Sequence, residues 1–252
     1  MKIEKILTSN WQNAFRGMRN PYDSWDKSDS FFGIEHYAQL GKIERLNPTC
    51  KIEKINQDED LIEYVALGPE DIDLAQRLIK GGPVHSKFLR QIFISMDITA
   101  PLYLWKELDT YKVATTANSC STMHTIQKTP ITLDLFETDD YNKTICGDWP
   151  ENCIMPVLEE LRQKHLEYKQ KSFNEEDPEK ASQLLKQSNA YWKELIRWLP
   201  EGWLQKRTWT GNYETARNIL KWRDPHKLTE WVPICDTLKS LPFANELLTF
   251  GL

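Results

Sequence analysis

Between Leu199-Pro200 and Asp224-Pro225 the sequence changes its hydrophobic period, and this change constrains the fold more than any other feature. Residues 207–210 alternate bulky and small side chains, which is typical of the end of a β-strand, and we interpret 205–210 as a strand. From Asn212 the apolar residues recur with the 3.6-residue period of a helix, and Asp224-Pro225 ends that helix. A strand that leads directly into a helix over 212–223 predicts a fold that mixes both kinds of element.

The remaining patterns are mostly helical. GPEDIDLAQRLIKGG has an acidic first turn, apolar residues at helical spacing and a Gly-Gly stop. Residues 90–98 and the KIEKI stretches read as strands, whereas 101–112, 154–171, 181–199 and 227–240 read as helices. Residues 113–126 are small and polar, which predicts a loop or frayed helix, and the acidic SFNEEDPEK segment predicts a flexible linker. We therefore predict one helix-rich α+β domain over residues 1–252 with a central antiparallel or mixed sheet.

Composition excludes several classes of function. A net charge of −5 and a pI of about 5.7 argue against duplex nucleic acid as a partner. A basic pocket for a small phosphate ligand needs only two or three cations and stays open. No apolar run is long enough to span a membrane, and the polar N-terminus does not resemble a signal peptide. Five cysteines without CxxC spacing predict neither a disulfide framework nor a metal site. These features predict a cytoplasmic protein, whose ten tryptophans we expect to pack in the core.

Three polar residues stand out in the segment after Pro200. Asn212, Asn218 and Arg223 are spaced six and five residues apart, and we expect them near one side of the helix. They would then form a row of hydrogen-bonding groups that faces a ligand. The alternatives are an N-cap for Asn212 and a helix-end cation for Arg223. Asn218 has no such role in the middle of a helix, where asparagine is unfavourable.

These residues belong to a longer pattern with a family resemblance. Glu194-x-x-Arg197 precedes Leu199-Pro200, and Trp209-Thr210-x-Asn212, Asn218, Arg223 and Glu230-Trp231 follow it. Upstream, His85 is followed by a strand and by Ala100-Pro101. In this order and spacing the motifs resemble the flavin-dependent thymidylate synthases, the ThyX type. The resemblance covers about residues 70–127 and 190–245.

The resemblance implies a flavin-dependent methyltransferase that binds dUMP and transfers a one-carbon unit to C5 of the pyrimidine. It implies FAD as cofactor, NADPH and methylene-tetrahydrofolate as co-substrates, and a homotetramer with sites at subunit interfaces. It assigns substrate binding to Glu107, Ser121, Glu194, Arg197 and Arg223. It assigns cofactor binding to His85, Tyr111, Lys112, Asn118, Asn212 and Asn218, with Ser121 and His85 as candidate catalytic residues.

One motif departs from the family. Where the family has Arg-His-Arg and, further on, a serine and an arginine, this chain has Thr110-Tyr111-Lys112, Ser121 and Met123. Threonine and lysine do not reproduce the bidentate contacts of guanidinium groups with phosphate. Two alternatives follow: the same scaffold acting on another nucleotide or one-carbon group, and a non-catalytic nucleotide-binding homologue that has lost FAD.

Several candidate residues also have simple structural interpretations. Glu194 and Arg197 are three residues apart and would form a surface ion pair on a helix. His85 follows a Gly-Gly-Pro turn and fits a solvated loop histidine. Tyr111 and Lys112 fit solvated residues at a helix end.

Overall fold

The computed structural model describes residues 1–58 and 60–252 and confirms the α+β class. The chain divides into two compact units. Unit 1 comprises Met1–Lys2, Thr99–Leu108 and Ser119–Arg207, and unit 2 comprises Ile3–Ile98, Asp109–Asn118 and Thr208–Leu252. That the whole chain forms one domain stays a prediction.

The described residues contain these strands: β1 (Lys2–Ser9), β2 (Phe31–His36), β3 (Lys51–Asp58), β4 (Leu61–Leu67), β5 (Phe93–Pro101), β6 (Thr116–Ser119) and β7 (Leu204–Asn212). Within unit 2, segments of β1, β5, β7 and β6 lie side by side in that order and form one sheet. A second sheet has the order β2, β4, β3, and its neighbouring strands are antiparallel.

The helices are α1 (Trp11–Arg19), α2 (Leu40–Leu46), α3 (Pro69–Lys80), α4 (Leu102–Leu108), α5 (Thr122–Thr125), α6 (Lys143–Cys146), α7 (Met155–Asn174), α8 (Pro178–Arg197), α9 (Tyr213–Arg223) and α10 (Trp231–Lys239). Local chemistry sets several of their starts. The Asp177 carboxylate accepts from the backbone N–H groups of Glu179 and Lys180 at the start of α8. At the start of α3, Asp29 accepts from the N–H groups of Glu70 and Asp71 at 2.9 and 3.0 Å.

Aromatic side chains dominate the core of unit 2. The Trp11 ring lies 5.1 Å from Tyr213 of α9 and 5.6 Å from Phe243, measured between ring centroids. All three side chains are almost fully buried. The core therefore fixes the first turn of α9 against α1 and the C-terminal segment.

Unit 1 contains the α7–α8 hairpin. Its core comprises Ile126, Ile131, Phe136, Met155, Leu158, Leu195 and Trp203. Within the hairpin, buried His165 of α7 contacts the Gln127 Oε1 atom through its Nε2 atom at 2.8 Å. Desolvation by burial lowers the pKa of His165.

Most predicted elements are confirmed, namely the helices at 69–80, 155–174, 178–197 and 213–223 and the strands at 51–58, 93–101 and 204–212. The predicted helix over 101–112 is too long, because α4 ends at Leu108. Beyond it the chain turns, with Ala114 in the left-handed region at φ 51° and the Thr115 hydroxyl donating to the Tyr111 carbonyl at 2.6 Å.

Other boundaries were also wrong. The small polar stretch 113–126, predicted as a loop or frayed helix, contains the one-turn helix α5 but also the strand β6. β6 forms because it pairs with β7, a partner that no local pattern reveals. The last predicted helix begins at Trp231 instead of 227, and α8 ends at Arg197, before Pro200. The linker over SFNEEDPEK is short, since α7 continues to Asn174 and α8 begins at Pro178.

Candidate functional site

A cavity of about 770 Å³ lies beside α9 in unit 2. One face of α9 forms one wall of the cavity. The rest of the lining comes from the loop after α3, from Val113 and from the C-terminal residues. Its volume falls within the roughly 300–1,000 Å³ typical of small-molecule sites. The α9 residues that line it include Glu214, Arg217, Asn218 and Lys221.

The two acidic residues of this cavity have basic partners. Glu214 accepts from Arg90, whose Nη2 atom lies 3.0 Å from the Glu214 Oε1 atom and whose Nε atom makes a second contact. Asp224 pairs with Lys239 at 2.5 Å. These hydrogen bonds raise the pKa of both Arg90 and Lys239. Both carboxylates are therefore neutralised by their neighbours.

The two basic residues of the cavity lack such partners. Arg217 donates from Nη1 to the Leu248 carbonyl at 2.8 Å, and it forms no ion pair with the residues that the structure describes. Burial lowers the pKa of its guanidinium group. Lys221, one helical turn further on, is exposed, and its ammonium group lies 5.3 Å from the centroid of the Trp222 ring.

Asn212 is fully buried and is the N-cap of α9. Its Oδ1 atom accepts from the Thr215 N–H at 3.0 Å, and its Nδ2 atom donates to the Val113 carbonyl at 2.9 Å. The Thr215 hydroxyl donates to the same carbonyl at 3.0 Å. The predicted N-cap is thus confirmed, and the same side chain ties the segment after Tyr111 and Lys112 to α9.

Arg223 lies in an aromatic cluster of unit 2. Its Nε atom donates to the Tyr111 hydroxyl at 3.0 Å, and its guanidinium carbon lies 4.9 Å from the Trp231 ring centroid and 5.8 Å from that of Tyr111. The Nη1 atom lies 3.0 Å from the His226 Nε2 atom. Two rings and one hydroxyl therefore restrain the position of this guanidinium group.

The expected row of Asn212, Asn218 and Arg223 on one side of α9 is wrong. Asn218 is exposed and lines the cavity, Asn212 is buried at the helix start, and Arg223 packs in the aromatic cluster. The reason is helical geometry, because five residues advance the chain by about 1.4 turns.

The other candidate residues of unit 2 are exposed. His85 borders a second cavity of about 600 Å³, and its backbone N–H donates to the Gly82 carbonyl at 2.9 Å. Lys112 lies in the segment after α4, and Asn118 lies on β6. Their assignment to a cofactor stays a prediction.

Unit 1 holds the remaining candidates. Glu194 and Arg197 form the expected ion pair on α8, and the Trp198 indole N–H donates to Glu194 at 3.0 Å. Ser121 precedes α5, and its carbonyl accepts from the Thr125 hydroxyl at 2.9 Å. Glu107 lies half-buried on α4. Their roles as substrate ligands stay predictions.

Arg207 of unit 1 was not predicted from the sequence. Its guanidinium carbon lies 4.4 Å from the Trp105 ring centroid, and its Nε atom donates to the Gln205 Oε1 atom at 2.9 Å. The Gln205 amide in turn donates to the Cys120 carbonyl and the Thr122 hydroxyl, both at 3.2 Å. Alternation along β7 put Gln205 and Arg207 on one face, which was the available signal.

Two cations of unit 2 were also missed, Arg217 and Lys221. Their spacing of four residues on a helix gives neighbouring positions, and this signal was present in the sequence.

Among residues 1–58 and 60–252, no cluster of histidine, cysteine, aspartate and glutamate side chains is arranged to hold a metal ion. None of the described helices is long and apolar enough to cross a lipid bilayer.

Comparison with known proteins identifies the fold. No family model matches the sequence, and no curated protein matches it at a significant level. Two solved structures of the flavin-dependent thymidylate synthase ThyX from Helicobacter pylori, both in complex with FAD and dUMP, match the structure along nearly its whole length. The fold is that of a flavin-dependent thymidylate synthase.

The likeness to these synthases is one of fold rather than of sequence. The first has a TM-score of 0.56 at 16% identity, and the second has a TM-score of 0.58 at 15% identity. Each match covers 99% of this chain and 100% of the ThyX chain. The expectation of a thymidylate synthase-like α+β fold is therefore confirmed.

Proposed function

We propose that this protein is a flavin-dependent thymidylate synthase-like enzyme, which binds dUMP and transfers a one-carbon unit to C5 of the pyrimidine. The observation that carries the proposal is the match of the whole chain to ThyX enzymes that bind FAD and dUMP. Methylene-tetrahydrofolate would donate the one-carbon unit, and NADPH would reduce the flavin. Both co-substrates follow from the family resemblance of the sequence.

The residues of unit 2 fit a flavin nucleotide. The cavity beside α9 has the volume of a small-molecule site, and the Asn218 amide offers both a donor and an acceptor. Arg217 and Lys221 supply positive charge on the same wall. Bound FAD would supply the redox and group-transfer chemistry, while the protein supplies binding and orientation.

The proposed roles follow the chemistry of each side chain. Arg223, which lies against the Tyr111 and Trp231 rings, presents a planar donor to a phosphate or a base carbonyl. Glu194 orients Arg197 through their ion pair. Asn212 acts indirectly, since its amide group bonds within the chain and holds the segment that carries Tyr111. The other proposed contacts are Glu107 and Ser121 for the substrate and His85, Tyr111, Lys112, Asn118 and Asn218 for the cofactor.

One observation favours a second candidate, the same scaffold acting on another nucleotide or one-carbon group. Tyr111 occupies the place of the family's motif histidine, and its hydroxyl accepts from Arg223 at 3.0 Å. A tyrosine bonded to a substrate-binding arginine changes the donors that a nucleotide would meet. A non-catalytic homologue without FAD is the third outcome.

Flavin binding is the first test. The purified protein, and the protein incubated with excess FAD and then desalted, should show the flavin absorbance bands at a ratio of one flavin per chain. A protein that stays colourless after this incubation would rule out both enzymatic candidates.

Tritium release separates the two enzymatic candidates. With C5-tritiated dUMP, methylene-tetrahydrofolate and NADPH, the FAD-loaded protein should release tritium to water. Bound flavin without tritium release would favour the candidate with a different nucleotide or one-carbon group.

The assembly and compartment are proposals as well. We expect a homotetramer in the cytoplasm, as the family resemblance implies. Light scattering of the purified protein should give four times the 29.7 kDa chain mass. A monomer at micromolar concentration would contradict sites built at subunit interfaces.

A further inference from the structure

We propose that the cavity beside α9 contains an anion site for a phosphate or diphosphate group, with Arg217 and Lys221 as its cations. This site rests on the proposed function and deepens it, because it names the cations that would hold the phosphate of the bound nucleotide. The phosphate could belong to a flavin dinucleotide or to a mononucleotide, and both share the chemistry that these residues recognise.

Arg217 is the first cation of the proposed anion site. It is half-buried in the cavity wall, where an unpaired charge is costly. One of its five N–H donors bonds the Leu248 carbonyl, and the described residues offer it no carboxylate. An anion in the cavity would supply the missing counter-charge and accept the remaining donors.

Lys221 supports the same site from the next turn. Two cations at positions i and i+4 of a helix are neighbours and repel each other. The arrangement is unfavourable as it stands and becomes favourable when an anion lies between the two groups. Asn218 lies on the same wall, and its amide makes no hydrogen bond with any described residue.

The acidic lining does not oppose this site. Glu214 is held by Arg90, and Asp224 is held by Lys239, so neither carboxylate is left to pair with Arg217 or Lys221. Apolar side chains, among them Ile79 and Leu89, form the rest of the wall and suit the uncharged part of a nucleotide.

The test is the affinity of the full chain for inorganic pyrophosphate, measured by isothermal titration calorimetry at low salt. Lys221→Gln should weaken binding about ten-fold or more, because it removes a charged hydrogen bond. Arg217→Gln should do the same, while Arg217→Lys should retain part of the affinity. Arg16→Gln is the matched control, since Arg16 is exposed on α1 and does not line the cavity.

Arg217→Gln also loses the bond to Leu248 and can destabilise the C-terminal segment. Lys221→Gln keeps the test decisive, because the Lys221 side chain is exposed and bonds no described residue. Equal pyrophosphate affinity in the wild-type protein, Lys221→Gln and Arg217→Lys would overturn the proposal, and so would no measurable binding to the wild-type protein.

Two further titrations identify the source of the phosphate. A loss of FAD affinity in Lys221→Gln, with dUMP affinity unchanged, would assign the site to a dinucleotide diphosphate, and the reverse would assign it to a mononucleotide. If pyrophosphate binds and depends on Lys221 but the protein takes up no flavin, the anion site stands and the proposed function fails. If the substitutions of Lys221 and Arg217 change neither flavin uptake nor pyrophosphate affinity, the anion site is refuted and the proposed function is not.

Discussion

Replacing Asn212 by alanine should destabilise the protein by about 2 kcal/mol, which follows from two bonds of one buried side chain. The Oδ1 atom caps α9 by accepting from Thr215 N–H, and loss of such a cap costs about 1 kcal/mol. The Nδ2 atom donates to the Val113 carbonyl at 2.9 Å, and loss of a hydrogen bond costs about 1 kcal/mol more. The Val113 carbonyl keeps the Thr215 hydroxyl as donor, whereas the Ala114 carbonyl loses its 3.4 Å contact with the Asn212 amide.

Asn212→Asp should be worse than Asn212→Ala at neutral pH. The aspartate keeps the cap but places a buried carboxylate against the carbonyl oxygens of Val113 and Ala114. Both variants should also free the segment that follows Tyr111. We expect faster amide hydrogen exchange at Thr215, whose N–H loses its acceptor in the alanine variant.

Urea unfolding would measure the loss of stability, provided that the m-values of the variant and the wild-type protein agree. Asn118→Ala is the control, because Asn118 is exposed on β6 and should change stability by less than about 0.5 kcal/mol. A free energy of unfolding for Asn212→Ala within about 0.5 kcal/mol of the wild-type value would contradict this prediction. It would mean that water replaces both bonds at a fully buried position.

Three further predictions concern other sites. Arg223→Ala should weaken dUMP binding by about 1–3 kcal/mol, and an unchanged dissociation constant in calorimetry would remove Arg223 from the substrate site. Burial raises the pKa of Cys235 to about 11, so iodoacetamide at neutral pH should label the exposed cysteines well before it, as mass spectrometry can follow; early labelling of Cys235 would contradict its burial. The hydrogen bond from Arg162 lowers the pKa of Glu159 from 4.5 to about 2, so its stabilising contribution is present above pH 4.5 and is lost as the pH falls toward 2. Melting temperatures of Glu159→Gln should therefore fall less than those of the wild type across that window, and parallel curves would count against the ion pair.

The long helices were predictable because their local signals agree. α3 has proline in its first turn, acids at its start and glycines after its end, and α8 has an aspartate N-cap. β6 was not predictable, since its four small residues, three of them polar, form a strand only when β7 lies beside them. The end of α4 escaped detection for a similar reason, because a left-handed Ala114 has no sequence signature.

Tryptophan burial shows the same limit. Trp11, Trp105, Trp209 and Trp231 are almost fully buried, as the core interpretation expects, and Trp203 is buried too. Trp25, Trp149, Trp198 and Trp222 are more than half exposed. The residue type indicates packing capacity, but only the placed backbone decides whether a partner surface lies over it.

The candidate site was predictable in chemistry but not in arrangement. The motif spacing identified Asn212, Asn218 and Arg223, yet the three side chains serve a cap, a cavity wall and an aromatic cluster. Arg217 and Lys221, the two cations of the cavity that form no ion pair with a described residue, match no motif of the family resemblance. Their significance depends on the Arg90 and Lys239 ion pairs, which neutralise the nearby acids and which sequence spacing does not show.

The altered motif and the two α9 cations both concern the positive charge that is available to a phosphate ligand. Thr110 and Lys112 carry less positive charge than the family's paired arginines, and lysine cannot make a bidentate contact with phosphate. A phosphate ligand in unit 2 still needs counter-charge, and α9 offers a guanidinium and an ammonium group four residues apart on one cavity wall. If both sets of cations served the same ligand, restoring arginine at position 112 should strengthen pyrophosphate binding in Lys221→Gln. If Lys112→Arg leaves that affinity unchanged, the α9 pair binds its anion without help from the motif.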